Sequence, residues 1–193
     1  VSLAKGLSIT VEGTIPRGTG MGTISAGYAA GLGIAVRLAK NKPDTSAVLD
    51  ALVSLNGDPA HGAAALLGGL TVTSQLSPPN DLELRHQPLS LSIHEDWHYV
   101  IALPDAQMGT AETKRVLPPT LPHAATRRSI GRAYGVLRAL EQADEGLLRS
   151  CLQDEVHVPY RRRLVPGLGQ AMADAVEAGA AGATICGHGP GVI

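Results

Sequence analysis

The sequence predicts an α+β fold, and two observations carry that prediction. Short runs of strand character, at Leu7–Val11, Leu70–Ser74, Leu89–Ile93 and Tyr99–Leu103, lie among longer runs with helical apolar spacing. The last two strand-like runs follow one another with only a short polar turn between them, which fits a hairpin and not the strand–helix alternation of a doubly wound sheet. Composition supports a folded chain: of 193 residues, 44% are hydrophobic and 17% charged. Aromatic residues make up 3% and Phe is absent, so Leu, Val, Ile and Ala must build the core. A net charge of −1 argues against a nucleic-acid surface. No apolar run approaches membrane-spanning length and no signal-peptide pattern opens the chain, so membrane partners are not expected and a cytoplasmic location is. Cys151 and Cys186 form no CxxC and read as reduced thiols. The first residue is Val, and Pro190–Ile193 reads as a turn entering a strand, so one or both ends are expected to continue in a longer chain.

Taken in order, Leu7, Ile9 and Val11 alternate with polar residues as a half-buried strand. A glycine-rich loop follows, and Thr23 to about Lys40 reads as a helix whose Gly27, Gly31 and Gly33 suggest close packing on a sheet. Asn41–Thr45 is a loop. Ser46–Asn56 is a second helix with Val48, Leu49, Leu52 and Val53 on one face and Asn56-Gly57 as its stop. Asp58–His61 is a turn, Gly62–Gly68 a short helix, Leu70–Ser74 a strand and Pro78–Asp81 a turn. Leu89–Ile93 and Tyr99–Leu103 form the expected hairpin. Thr110–Val116 is a short helix, and Pro118, Pro119 and Pro122 break the chain. Ala124–Ala143 is a long helix with Ile130, Ala133, Val136, Leu137 and Leu140 on its apolar side. Gly146–Gln153 and Leu168–Glu177 are helical, Val158–Pro166 is a basic loop and Ala180–Cys186 is strand-like. There is no internal repeat.

Three constellations could carry chemistry. Gly18, Gly20 and Gly22 lie just before a helix start, where unpaired N–H groups and the helix dipole favour an anion. The loop is neither a Walker A motif nor a dinucleotide fingerprint. A second glycine turn, Gly187–Gly191, could face it across a cleft. His94-Glu-Asp-Trp-His98 is a literal HExxH, which on a helix would hold zinc with Glu95 as general base; its strand-like flanks make it a turn instead. The basic residues Lys114, Arg115, Arg161, Arg162 and Arg163 offer carboxylate or phosphate recognition. Asp50 and Asp58 are the acidic residues available to the loop.

Six segments together resemble homoserine kinase, of the GHMP small-molecule kinase superfamily. Ile15–Ala26 resembles the phosphate loop Pro-x-Gly-Ser-Gly-Leu-Gly-Ser-Ser-Ala. Gly57–Leu70 resembles Gly-His-Pro-Asp-Asn-Val-Ala-Pro-Ala-Leu-Leu-Gly-Gly-Leu. Lys114–Pro118 resembles Arg-x-x-Leu-Pro. Pro159–Arg161, Leu164–Gly167 and Gly187–Pro190 resemble Pro-Tyr-Arg, Leu-x-Pro-Gly and the closing Gly-Ser-Gly-Pro-Thr. The resemblance implies a GHMP kinase-like α+β fold. Residues 1–104 would be an N-terminal part like ribosomal-protein S5 domain 2, and 105–193 a ferredoxin-like C-terminal part. It implies transfer of a phosphoryl group from ATP, with Mg²⁺, to homoserine or a similar small molecule, on the way to threonine. A missing terminal strand would expose a sheet edge, which admits a homodimer. By position, Pro16, Arg17, Gly18, Thr19, Gly20, Met21, Gly22, Thr23, Ile24, Ser25 and Ala26 would bind ATP. His61, Lys114 and Arg161 would meet the substrate; no metal ligand and no catalytic residue is assigned.

The pattern also departs from the family. Ile24 replaces a Ser of the loop, Ala60-His61 replaces Asp-Asn, Ser54 stands where an acidic residue is expected, and Gly191 replaces the last Thr. Loss of these polar groups leaves a second expectation, a catalytically inactive relative that still takes nucleotide. A zinc hydrolase using His94 and His98 is a third.

Overall fold

The computed structural model describes residues 6, 8–40, 42–55, 57–77 and 83–193. The expectations for Leu7, Asn41, Asn56 and the Pro78–Asp81 turn lie outside them. The described chain mixes helix with antiparallel sheet and divides into two compact units. One comprises residues 1–16 and 22–91; the other comprises 17–21 and 92–193.

In the first unit, helix α1 runs Thr23–Ala39, α2 Thr45–Ser54 and α3 Pro59–Leu67, followed by strands β1 Leu70–Leu76 and β2 Arg85–Leu91. Aspartates start two of these helices. Asp44 accepts a bond from the Ala47 N–H, and Asp58 accepts from the N–H groups of Ala60 and His61, with Pro59 in the first turn, where its missing N–H costs nothing. Asp58 thus begins a helix where the sequence predicts a turn through His61. Leu49 and Leu52 are fully buried between α2 and α3, and Gly57 and Gly62 leave the room that the Leu52 side chain fills. Strands β1 and β2 pair in antiparallel register, with Leu70 opposite Leu91 and Val72 opposite Leu89. Asp50 on α2 holds both the backbone N–H and the ring Nδ1 of His86.

Two expectations fail in this unit. Residues 8–16 form no strand, and Ile9 and Val11 are exposed, Val11 at 82%. A strand needs a ladder partner, and among the described residues this run has none. Gly27, Gly31 and Gly33 do not permit close packing: a Cβ added at any of them meets nothing. Helix α1 packs on α2 and α3, and these glycines lie on its open side.

In the second unit, α4 runs Thr110–Arg115, α5 His123–Gln142, α6 Glu145–Cys151, α7 Val158–Arg161 and α8 Leu168–Glu177. The expected hairpin of Leu89–Ile93 with Tyr99–Leu103 is absent, since β2 ends at Leu91 and pairs with β1. The turn between them is captured elsewhere. The His94 N–H and the Trp97 indole N–H both donate to the Leu140 carbonyl, and Ala102 bridges to Val192. The strand expected at Ala180–Cys186 shrinks to a bridge between Ile185 and Val192, with reciprocal bonds between Thr184 and Ile193. The basic loop contains the short α7, begun with Pro159 in its first turn. On α5, Ala125, Gly135 and Ala139 are buried while Ile130 is 69% exposed, so the buried stripe is the small-residue one. Gly135 lies against the Cys151 thiol, which fixes how α5 meets α6. Leu168, Ile185 and Val192 form a small core with Met172 and Val165 around it.

A charged clamp ties α5 to the segment after α6. Arg128 grips both oxygens of Glu155, at 2.8 and 2.7 Å, and Arg132 joins it. The Arg128 hydrogen bond, with Arg132 beside it, brings the Glu155 carboxyl down to about 2 from 4.5.

A folded-state value below the unfolded one stabilises the fold above about pH 4.5, and that contribution is lost as pH falls towards about 2. Glu155→Gln should therefore lower Tm at pH 6, and the gap to the parent chain should shrink as pH falls from about 4.5 through about 2, read by circular dichroism melts. Leu52→Ala empties a fully buried site and should cost about 2–5 kcal/mol by urea denaturation.

Candidate functional site

The second unit brings both glycine turns together. The Gly191 N–H donates to the Thr19 carbonyl at 3.0 Å, and the Cys186 N–H donates to the Gly191 carbonyl at 2.7 Å. Gly20, with φ 87°, sits so close that an added Cβ would overlap the Cys186 carbonyl oxygen and come within 2.8 Å of the Gly189 nitrogen. Only glycine satisfies both the space and the left-handed backbone. Thr19 is buried by this contact, as are Gly189, Pro190 and Gly191. Arg161, 7% exposed at the end of α7, donates from Nη1 to the Gly187 carbonyl at 3.1 Å. Arg161, the Gly187–Gly191 turn and the Arg17–Met21 loop thus form one constellation. Burial pushes the Cys186 thiol up, so this cysteine is a wall and not a thiolate nucleophile.

The first unit organises the other end of the predicted phosphate loop. Gly22 caps α1 at φ 76°, and an added Cβ there would press on the His61 ring at 3.0 Å. Helix α1 has no side-chain N-cap bond and no acidic residue in its first turn, so its dipole and N–H groups are not offset locally. The Thr23 hydroxyl donates to the Pro16 carbonyl at 2.8 Å. Ser25 is buried, and its hydroxyl accepts the Asp58 N–H at 3.1 Å, tying the helix start to the cap of α3. Asp58 Oδ1 lies 3.6 Å from His61 Nδ1. His61 and Asp58 are thereby brought to the loop's helical end, with Ser25 acting as a strut.

Ile24 is 63% exposed on α1, Arg17 is exposed, Met21 and Ala26 are partly covered, and Lys114 is exposed on α4. Asp50 is occupied by His86. His94 Nδ1 faces Asp96, and His98 Nδ1 meets the Asp96 carbonyl at 3.0 Å. Among the described residues, neither histidine falls in a cluster of three side chains able to hold one metal ion. Gln107 and Met108 were not foreseen. An added Cβ on Gly18 would meet the Gln107 side chain at 3.2 Å, and one on Gly189 would meet Met108 Sδ at 3.0 Å. No spacing marks either residue, because each is placed by contact across the fold.

No family model matches the chain. Curated relatives do. A homoserine kinase of Natranaerobius thermophilus is 30% identical over 186 residues, which is 96% of this chain and 58% of the relative. One of Gloeobacter violaceus is 32% identical over 191 residues, 97% of this chain and 60% of the relative. This chain resembles homoserine kinases along nearly its whole length. It spans about three-fifths of the length of those homoserine kinases. Among solved structures, the homoserine kinase from Cytophaga hutchinsonii superposes with a TM-score of 0.77 at 24% identity, over 93% of this chain and 57% of that one. A putative homoserine kinase from Listeria monocytogenes gives 0.65 at 24% identity, over 92% and 58%. The described fold is therefore that of the corresponding part of homoserine kinases. No helix among the described residues is long and apolar enough to cross a membrane.

Gly20→Ala should destabilise the second unit by more than about 1 kcal/mol, from the left-handed backbone alone. Gly31→Ala, in open space on α1, should stabilise slightly; paired guanidinium denaturation curves compare the two.

Proposed function

We propose that this chain carries a phosphoryl-transfer site of the homoserine kinase type, moving the γ-phosphoryl group of ATP to the hydroxyl of homoserine or a similar small molecule in threonine biosynthesis. The observation that supports it most is the match to homoserine kinases over 96% of the chain, joined to a glycine loop whose backbone is built for an anion. Gly18, Gly20 and Gly22 all adopt positive φ, and the uncapped start of α1 follows at once. Glycine-rich turns before a helix start suit an anion, because their backbone N–H groups supply donors. Phosphoryl transfer draws mainly on positioning and charge stabilisation, which is what this loop can provide.

The other residues take roles around it. Arg161, anchored on Gly187, carries a planar guanidinium of the kind that recognises a carboxylate, and we assign it to the substrate side. Lys114 would add a second cation on the substrate side. Mg²⁺ would neutralise phosphate charge, and Asp58 is the carboxylate that the Ser25 bond holds near the start of α1. His61, packed on Gly22, would contact the substrate end of the phosphates. Ile24 offers no hydroxyl, so the loop would hold phosphate through backbone donors more than through side chains. The same reading assigns residues 1–104 to a part like ribosomal-protein S5 domain 2 and 105–193 to a ferredoxin-like part, in a cytoplasmic protein that admits a homodimer.

The test is titration with ATP and Mg²⁺, then ADP release with and without homoserine. The expected result is homoserine-dependent turnover, with Lys114→Ala raising the KM for homoserine about tenfold, the loss of one charge-assisted contact. Nucleotide binding without turnover would replace this reading with an inactive relative. Absence of any nucleotide binding would reduce the glycine loop to a turn.

A further inference from the structure

The second unit contains a pocket of about 280 Å³ between α5, α6 and the residues that follow α6. Ala133 and Val136 of α5, Cys151 of α6, and Leu152 and Val156 beyond it make its wall mostly apolar. The charged groups at its border already have partners. Arg132 donates to Glu155 and to the Gln153 carbonyl. Asp154 accepts the N–H groups of Val156, His157 and Val158, and its Oδ2 lies 3.5 Å from His157 Nδ1. Burial alone would raise the Asp154 carboxyl, but the His157 side chain and those backbone donors outweigh it and hold it well below the usual range. A charged ligand would have to break these bonds.

Ser129 differs. It lines the same pocket, and its hydroxyl is buried with no hydrogen-bond partner among the described residues. A buried polar atom of this kind calls for a partner that the chain does not supply. An apolar cavity of about 150 Å³ is enough for benzene, so this one has room for a ring with a short polar arm.

We propose that the pocket between α5 and α6 binds a small neutral molecule, apolar over most of its surface, with one hydroxyl or carbonyl group that meets Ser129. The site is separate from the glycine turns. It shares one wall, residues 152–157, with the approach to α7, whose Arg161 holds Gly187.

Cys151 supplies the reporter. The whole chain is treated with iodoacetamide and alkylation of the Cys151 and Cys186 peptides is followed by mass spectrometry, with benzyl alcohol, toluene or benzoate as probe. Benzyl alcohol should slow Cys151 alkylation severalfold and leave Cys186 unchanged, toluene should protect less, and benzoate should not protect. Ala133→Leu, which fills the pocket, should abolish protection. Ser129→Ala should erase the preference for benzyl alcohol over toluene while keeping residual protection. Equal Cys151 rates with and without benzyl alcohol would overturn the proposal, as would protection by benzoate or protection that survives Ala133→Leu. No nucleotide is present in the assay, so its failure says nothing against the kinase reading.

Discussion

The second unit depends on one close approach, the backbone at Gly20 against the Cys186 carbonyl, closed by the Gly191 N–H on the Thr19 oxygen. Two stretches at opposite ends of the sequence meet there without a side chain between them. The approach sets the Gly187 carbonyl where Arg161 can reach it, and it aligns Val192 to bridge both Ala102 and Ile185. The same contact buries Thr19 and Pro190 and gives the Leu168, Ile185 and Val192 cluster its edge. The close contact requires glycine at position 20, where an added Cβ would overlap the Cys186 carbonyl oxygen. Backbone shape is required for the turns to close, whereas a hydroxyl at position 24 is not.

The first unit rests on a different device, aspartates that serve two elements at once. Asp58 caps α3 with its carboxylate while its backbone N–H is held by Ser25 of α1. Asp50 sits on α2 and fixes His86 of β2 by backbone and ring together. Each bond joins residues more than thirty positions apart and is partly shielded from water, where a hydrogen bond keeps more of its strength; the one to the Asp50 carboxylate is charge-assisted as well. With few aromatic residues to fill space, the core here is Leu49 and Leu52 against glycines, and polar struts supply much of the remaining orientation.

What was legible in the sequence was local. Helices α1, α2, α4, α5, α6 and α8 fall within a few residues of their expected spans, because caps, prolines and apolar spacing act over one or two turns. The place of the glycine loop just before α1 was legible for the same reason. The misses are all cases where a distant partner decides. Ile9 and Val11 alternate as a strand does, yet alternation does not supply a neighbouring ladder. Tyr99–Leu103 has strand composition, but Leu140 captures the turn before it and Val192 takes Ala102. Ile130 has the spacing of a core residue, yet α5 meets α6 through Gly135, since the Cys151 thiol fits only where no side chain stands.

The sequence by itself determined where helices begin and end, that the core is aliphatic, and that one glycine loop precedes a helix with no acidic first turn. Those features follow from backbone angles and hydrogen bonds within a few residues of each other. Only the tertiary structure decided which strand pairs with which, which glycines are sterically required, that His61 lies on Gly22, and that Gln107 and Met108 border the turns. Such contacts join residues far apart in the chain, and their energies depend on atoms that no local pattern names.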